Sequence, residues 1–182
     1  MDNFMKVIAI FVMFVEIQTA LSQPIIPPGG PNDVIQQLCK RNRYQSLCVS
    51  TLNLDPRSKT SSNPQELASI SIDATTKKVN ETQEYLISVI KTIRRREDWE
   101  MYGTCIEEYG AAIRRFLPAT LADLKAKNYS QAMSNMKDVV SAPGICQDQF
   151  AGKCPFALTG RNKAVHDIAD MTADIIKTFF VN

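Results

Sequence analysis

Apolar residues recur at three- and four-residue steps through most of this chain, and strand-like alternation is nearly absent. Between Gln65 and about Arg96, one face carries Leu67, Ile70, Ala74, Leu86, Val89, Ile90 and Ile93, with Val79 and Tyr85 filling its middle. That period predicts one long amphipathic helix facing a core. Trp99 to Leu124 repeats the pattern through Cys105, Tyr109, Ala112, Ile113, Phe116, Leu121 and Leu124, and Pro118 predicts a kink or a split there. Tyr129 to Val140 offers Ala132, Met133, Met136, Val139 and Val140. Asn162 to Val181 offers Val165, Ile168, Ala169, Thr172, Ile175, Ile176 and Phe179. Upstream, Asn32 or Asp33 is placed to cap a short helix through Cys39. Ser46 to Leu52 suggests a second short helix, ended by a turn at Leu54–Ser58, and Thr60 to Pro64 a polar loop. Four long segments on short connections predict an all-α fold. It is an antiparallel four-helix bundle with an N-terminal short helical hairpin.

The first residues follow a different rule. Lys6 precedes an unbroken apolar run from Val7 to Val15, and Ala20 and Ser22 put small residues before Gln23. This is the pattern of a signal peptide over 1–22. The run is shorter than the ~20 residues a bilayer span needs. Residues 23–31 carry Pro24, Pro27, Pro28, Gly29, Gly30 and Pro31, the composition of an exposed, kinked arm. Residues 32–182 then form the one domain, long enough to bury a real core. Secretion to an extracellular space is expected, with no membrane association.

A secreted chain can keep disulfides. Cys39, Cys48, Cys105, Cys146 and Cys154 are five, so at least one is left over, and spacing alone leaves the pairing open. Were neighbours to pair, chain entropy would contribute about 2.7 kcal/mol for the short loop and about 4 for the long one. Those values are large against a total stability of roughly 5–15 kcal/mol. Lys153 beside Cys154 favours a thiolate, whereas Pro155 and Phe156 point to a packed turn with a buried or blocked cysteine, and pairing with another molecule stays open.

Charge and chemistry mostly exclude. Removing Asp2, Glu16 and Lys6 leaves 20 basic and 17 acidic residues, too mild a surplus to argue for nucleic acid. Arg94-Arg95-Arg96 is followed by Glu97 and Asp98, and Arg114-Arg115 is preceded by Glu107 and Glu108, so solvated helix faces are expected. The single histidine, His166, shares its helix with Asp167 and Asp170. Asp167, one residue on, should point elsewhere, and Asp170 could only orient the ring. No second histidine is there to bind zinc, and no nucleophile elbow or phosphate-cradling glycine loop occurs. No catalytic residue, cofactor or metal is expected. Asn80-Glu81-Thr82 and Asn128-Tyr129-Ser130 are acceptor sequons for N-glycans at Asn80 and Asn128.

A leader, the Cys39/Cys48 spacing, a long helix, Cys105-Ile106-Glu107-Glu108-Tyr109 and Cys146-Gln147-Asp148-Gln149-Phe150 together resemble the plant invertase inhibitor/pectin methylesterase inhibitor family. The resemblance spans essentially the whole mature chain. It implies disulfides Cys39–Cys48 and Cys105–Cys146, a free Cys154, and a monomer in the apoplast. The function it implies is one-to-one occlusion of the cleft of a plant cell-wall enzyme. Leu117-Pro118 and the run Asn162 to Asp170 look more like the invertase inhibitors, which places acid invertase first and pectin methylesterase second. Invertase inhibitors of this type present a Pro-Lys-Phe tripeptide, but the matching stretch here reads Tyr129-Ser130-Gln131, with Lys125 and Lys127 nearby. Pectin methylesterase inhibitors tend to carry acidic residues one and two turns after the third cysteine. This chain keeps Glu107 and Glu108 but has Ala111 and Arg114 beyond them. Candidate contacts are therefore Glu107, Glu108, Lys125, Lys127 and Tyr129. A non-inhibitory secreted bundle is a third reading. A lipid carrier is disfavoured by the dense apolar stripes.

Overall fold

The structure, a computed structural model, describes residues 30–180. The leader expected at 1–22 and the arm expected at 23–31, apart from Gly30 and Pro31, lie outside the described residues, as does the expected end of the last helix at Val181. Seven α-helices follow in chain order: α1 (Pro31–Cys39), α2 (Gln45–Leu54), α3 (Pro64–Ile90), α4 (Arg96–Ala111), α5 (Leu117–Lys125), α6 (Tyr129–Asp148) and α7 (Phe156–Lys177). A π-helical turn, Ala112–Phe116, joins α4 to α5 without interrupting the rod. Short 3-10 turns lie at Pro56–Lys59 and Thr178–Phe180.

The rod α4–α5 packs between α3 and α6, and α7 packs between α6 and α3, which closes a four-helix bundle. Its connections are short, so neighbours run antiparallel. The interior is filled by Leu67, Ile70, Leu86, Tyr109, Leu117, Leu124, Met136, Val165, Met171 and Ile176 among others. Two hydroxyls inside it satisfy each other: Thr75 and Thr172 lie 2.9 Å apart between α3 and α7. The α1–α2 hairpin docks on α3 and α7 and adds Ile35, Leu38 and Leu52 to the same core. Disulfides join Cys39 to Cys48 within the hairpin and Cys105 to Cys146 between α4 and α6. Cys154 is free and half-buried.

Several helix ends differ from the sequence expectation, each for a local reason. Helix α1 is capped by Gly30 with Pro31 in its first turn, not by Asn32 or Asp33, because proline's fixed φ suits that first position. Helix α3 stops at Ile90, not Arg96. Arg95 is the N-cap of α4, whose first turn holds Glu97 and Asp98 against the helix dipole. Helix α6 runs on to Asp148 through Pro143, eight residues beyond the expected stretch that ends at Val140. Ala142, Pro143 and Cys146 are buried, so tertiary packing overrides propensity there. Helix α7 starts at Phe156, six residues before Asn162, with Leu158 already buried.

Candidate docking surfaces

Glu107 and Glu108 sit in the second half of α4, the former exposed and the latter half-buried. Neither is in an ion pair among the described residues. Lys125 ends α5, and Lys127 lies in the α5–α6 turn at φ 60°; both are exposed. Eighteen residues of helix separate Glu107 from Lys125, about 25 Å along the rod. The acidic and basic candidates therefore form two patches, one on the flank of the bundle and one at its tip. A single small footprint does not cover both.

Tyr129 is a different case. It opens α6, but its ring is half-buried and stacks on Phe179 with centroids 5.0 Å apart. That contact fastens the start of α6 to the end of α7. Asn128 just before it is exposed, with its side-chain amide 3.3 Å from Asp123 Oδ1. Asn80 is half-buried in mid-α3, and the hydroxyl of its sequon residue Thr82 is turned inward to donate to the Lys78 carbonyl at 3.0 Å.

The opposite end of the bundle is aromatic. Tyr102 meets Phe150 edge-on at 5.2 Å, one turn from the Cys105–Cys146 bond, while Trp99, Ile145 and Phe156 are exposed. Below them Tyr109 is fully buried and donates to Asn162 Oδ1 at 2.8 Å, and Asn162 Nδ2 donates to Gln147 Oε1 at 2.9 Å. Burial pushes the Tyr109 phenol well above its ordinary range. These polar groups hold three helices together.

The strongest electrostatic feature was not foreseen from the sequence. Arg43, in the α1–α2 turn, donates through Nε and Nη2 to both oxygens of Asp174 at 2.9 Å, and through Nη2 to Asp170 at 2.7 Å. Its backbone N–H also reaches Asp174 at 3.0 Å, Tyr44 O–H reaches Asp170 at 3.3 Å, and Asn42 Nδ2 reaches the Met171 carbonyl at 2.9 Å. The two aspartates raise the Arg43 pKa. Burial pushes the Asp174 carboxyl up, but hydrogen bonds and charge from Arg43 outweigh it and hold that group below its ordinary value. Two grooves of about 410 and 700 Å³ share Arg43, Asp174 and Lys177 in their walls. One signal for this latch was legible: Asp170 and Asp174 stand one turn apart, beside the apolar stripe of α7. Asp170 is thus engaged by the hairpin rather than by His166. The ring of His166 instead lies 3.7 Å from Asp167, the neighbour expected to point away. Among the described residues no cluster of three potential metal ligands occurs, and no helix is long and apolar enough to cross a membrane.

The basic runs divide. Arg95 pairs with Glu97 and Asp98, and Arg96 with Glu100, as a solvated face should. Arg114 and Arg115 are exposed but have no carboxylate within ion-pair distance among the described residues.

Comparison with known proteins places this geometry. The family model for plant invertase/pectin methylesterase inhibitors matches residues 33–175. A pectinesterase inhibitor from Actinidia deliciosa is 27% identical over 142 residues, covering 77% of this chain and 76% of that protein. A 21 kDa protein from Daucus carota is 26% identical over 133 residues, covering 67% and 68%. Among solved structures, a mutant form of a pectin methylesterase inhibitor from Arabidopsis superposes with TM-score 0.66 at 18% identity, over 82% of this chain and 97% of that one. A second inhibitor structure, from Arabidopsis thaliana, gives 0.60 at 19% identity, over 81% and 96%. These structural matches speak to the fold.

Proposed function

The chain belongs to the plant invertase/pectin methylesterase inhibitor family, and from that premise we propose that it is a secreted protein inhibitor of a pectin methylesterase. The observation that carries the choice of target is at the bundle tip. Tyr129, where invertase inhibitors would present their tripeptide, is stacked on Phe179 and followed by Ser130 and Gln131, so no lysine projects from that position. The Actinidia relative, named as a pectinesterase inhibitor, points the same way.

The chain acts by shape rather than by chemistry. A bundle face that includes α4, which the Cys105–Cys146 bond clamps to α6, covers the substrate cleft of the enzyme one-to-one. A rigid face loses little conformational entropy on docking, so more of the contact free energy appears as affinity. Glu107 and Glu108, neither in an ion pair among the described residues, are the charges this face offers first.

Acid invertase is the second reading, favoured by Lys125 and Lys127, which stand exposed at the α5–α6 turn. Refolded, disulfide-bonded protein titrated against a plant pectin methylesterase and a plant cell-wall invertase separates the two. The esterase should lose activity to a one-to-one end point, and Glu107→Lys with Glu108→Lys should weaken that inhibition. Inhibition of invertase alone, sensitive to Lys125→Ala with Lys127→Ala, would overturn the esterase reading. Silence from both enzymes would leave a bundle that inhibits neither.

A further inference from the structure

The π-helical turn has a cause in the sequence. Pro118 lacks an N–H, and its ring crowds the carbonyl four residues back, which belongs to Arg114. The rod widens to relieve this: Leu117 N–H donates to the Ala112 carbonyl, five residues back. Single turns of this kind inside α-helices recur at functional sites. Here the turn resets the register of Arg114 and Arg115 relative to α4.

Arg114 stands one turn after Gly110, and its guanidinium packs over that residue. A Cβ added to Gly110 would lie 2.7 and 2.8 Å from the two terminal guanidinium nitrogens of Arg114 and 3.0 Å from Gln83 Nε2. Gln83 is itself tied across to α4, donating to the Ile106 carbonyl at 3.3 Å. The guanidinium thus lies in a notch between α3 and α4 that only a glycine leaves open. Among the described residues no carboxylate lies within ion-pair distance of it. Arg43, Arg57, Arg95 and Arg96 each have a carboxylate partner, and Arg115 and Arg161 lie over aromatic rings. Among the described residues Arg114 has neither, as is true of Arg41 and Arg94, but Arg114 alone of these three packs over a glycine.

We propose that the π-helical turn is a specificity device, which presents Arg114 from the Gly110 notch to a carboxylate side chain on the target enzyme. The proposal rests on the inhibitor reading above and names the partner chemistry of the same flank. A guanidinium has its donors in a planar fork, so a carboxylate arriving from outside is bound through two parallel hydrogen bonds. Glu107, two turns earlier, supplies the opposite sign, so the flank reads a pair of charges rather than one.

The test is a set of variants titrated against whichever enzyme the wild type inhibits. Arg114→Ala should raise the inhibition constant roughly tenfold or more, the loss expected for a hydrogen bond between charged groups. Arg114→Glu should raise it further, and Arg114→Lys should recover only part. Gly110→Ala separates positioning from stability. Its methyl displaces Arg114 from the notch and should weaken inhibition, while the helix gain of alanine over glycine offsets the shift it asks of Gln83 and keeps the thermal midpoint. Arg114→Ala and Arg114→Glu that inhibit like wild type would overturn this proposal alone. A wild type that inhibits neither enzyme would overturn the inhibitor reading and this proposal with it.

Discussion

Replacing Arg43 by alanine removes three of the side-chain hydrogen bonds that tie the hairpin to α7 and leaves those of Asn42 and Tyr44. Asp170 and Asp174 would then face each other one turn apart with side chains only 12% and 13% exposed, and no cation between them. Hydrogen bonds to charged groups contribute about 1.5–3 kcal/mol each when buried. The Arg43 side chain is 60% exposed, so solvent screening discounts that figure. Asp174 would also keep the backbone N–H of residue 43. The expected loss is about 1–2 kcal/mol, or roughly 2–8 °C in the midpoint of a domain this size. The sign with pH follows from Asp174, whose folded pKa is depressed. Stability from such a group is present above the unfolded carboxylate value, near ~3.9, and is lost as pH falls through the lower folded value. Wild type and Arg43→Ala should therefore differ most at pH 5–7 and converge in strong acid. Thermal unfolding followed by circular dichroism reads the midpoint, and hydrogen exchange of α1 and α2 amides reads the docking. Equal midpoints at pH 6 with unchanged hairpin protection would refute the latch.

Other outcomes follow from the same structure. Serine at both Cys105 and Cys146 should cost about 4 kcal/mol, the chain-entropy value for a loop of this length, seen as a lower denaturant midpoint. Tyr109→Phe leaves buried Asn162 Oδ1 without its donor and should cost about 1–3 kcal/mol, measurable by the same titration; an unchanged midpoint would mean the bond is not formed. In a eukaryotic secretory host, glycopeptide mapping should find Asn128 occupied more than Asn80, since the former is exposed in a turn and the latter half-buried in mid-helix.

The stripes of Leu67 to Ile90 and of Val165 to Ile176 were enough to place the bundle, because a 3.6-residue period survives without knowledge of neighbours. Its ends were less legible where sequence and packing disagree. Pro143 and Gly144 argue locally for a stop, yet the buried turn around Cys146 carries α6 past them. Pro118 announced a break and left its form open between a kink and a split; the answer was a widened turn. Of the candidate contacts, the exposure of Glu107, Lys125 and Lys127 was readable from their chemistry, but not the ~25 Å between the patches. Nor could the pattern reveal that Tyr129 is occupied by Phe179, or that Arg43 finds partners 127 and 131 residues away.

That last separation has a consequence in time. A ribosome adds about 5–20 residues per second, so Arg43 emerges roughly 7 to 26 s before Asp174, 131 positions later, exists to receive it. Through that interval the newborn hairpin can meet α3 but not α7, so the core that Ile35, Leu38 and Leu52 enter is incomplete. The Cys39–Cys48 bond needs only nine residues of separation, so it can close during synthesis and keep the hairpin preformed until the last helix arrives.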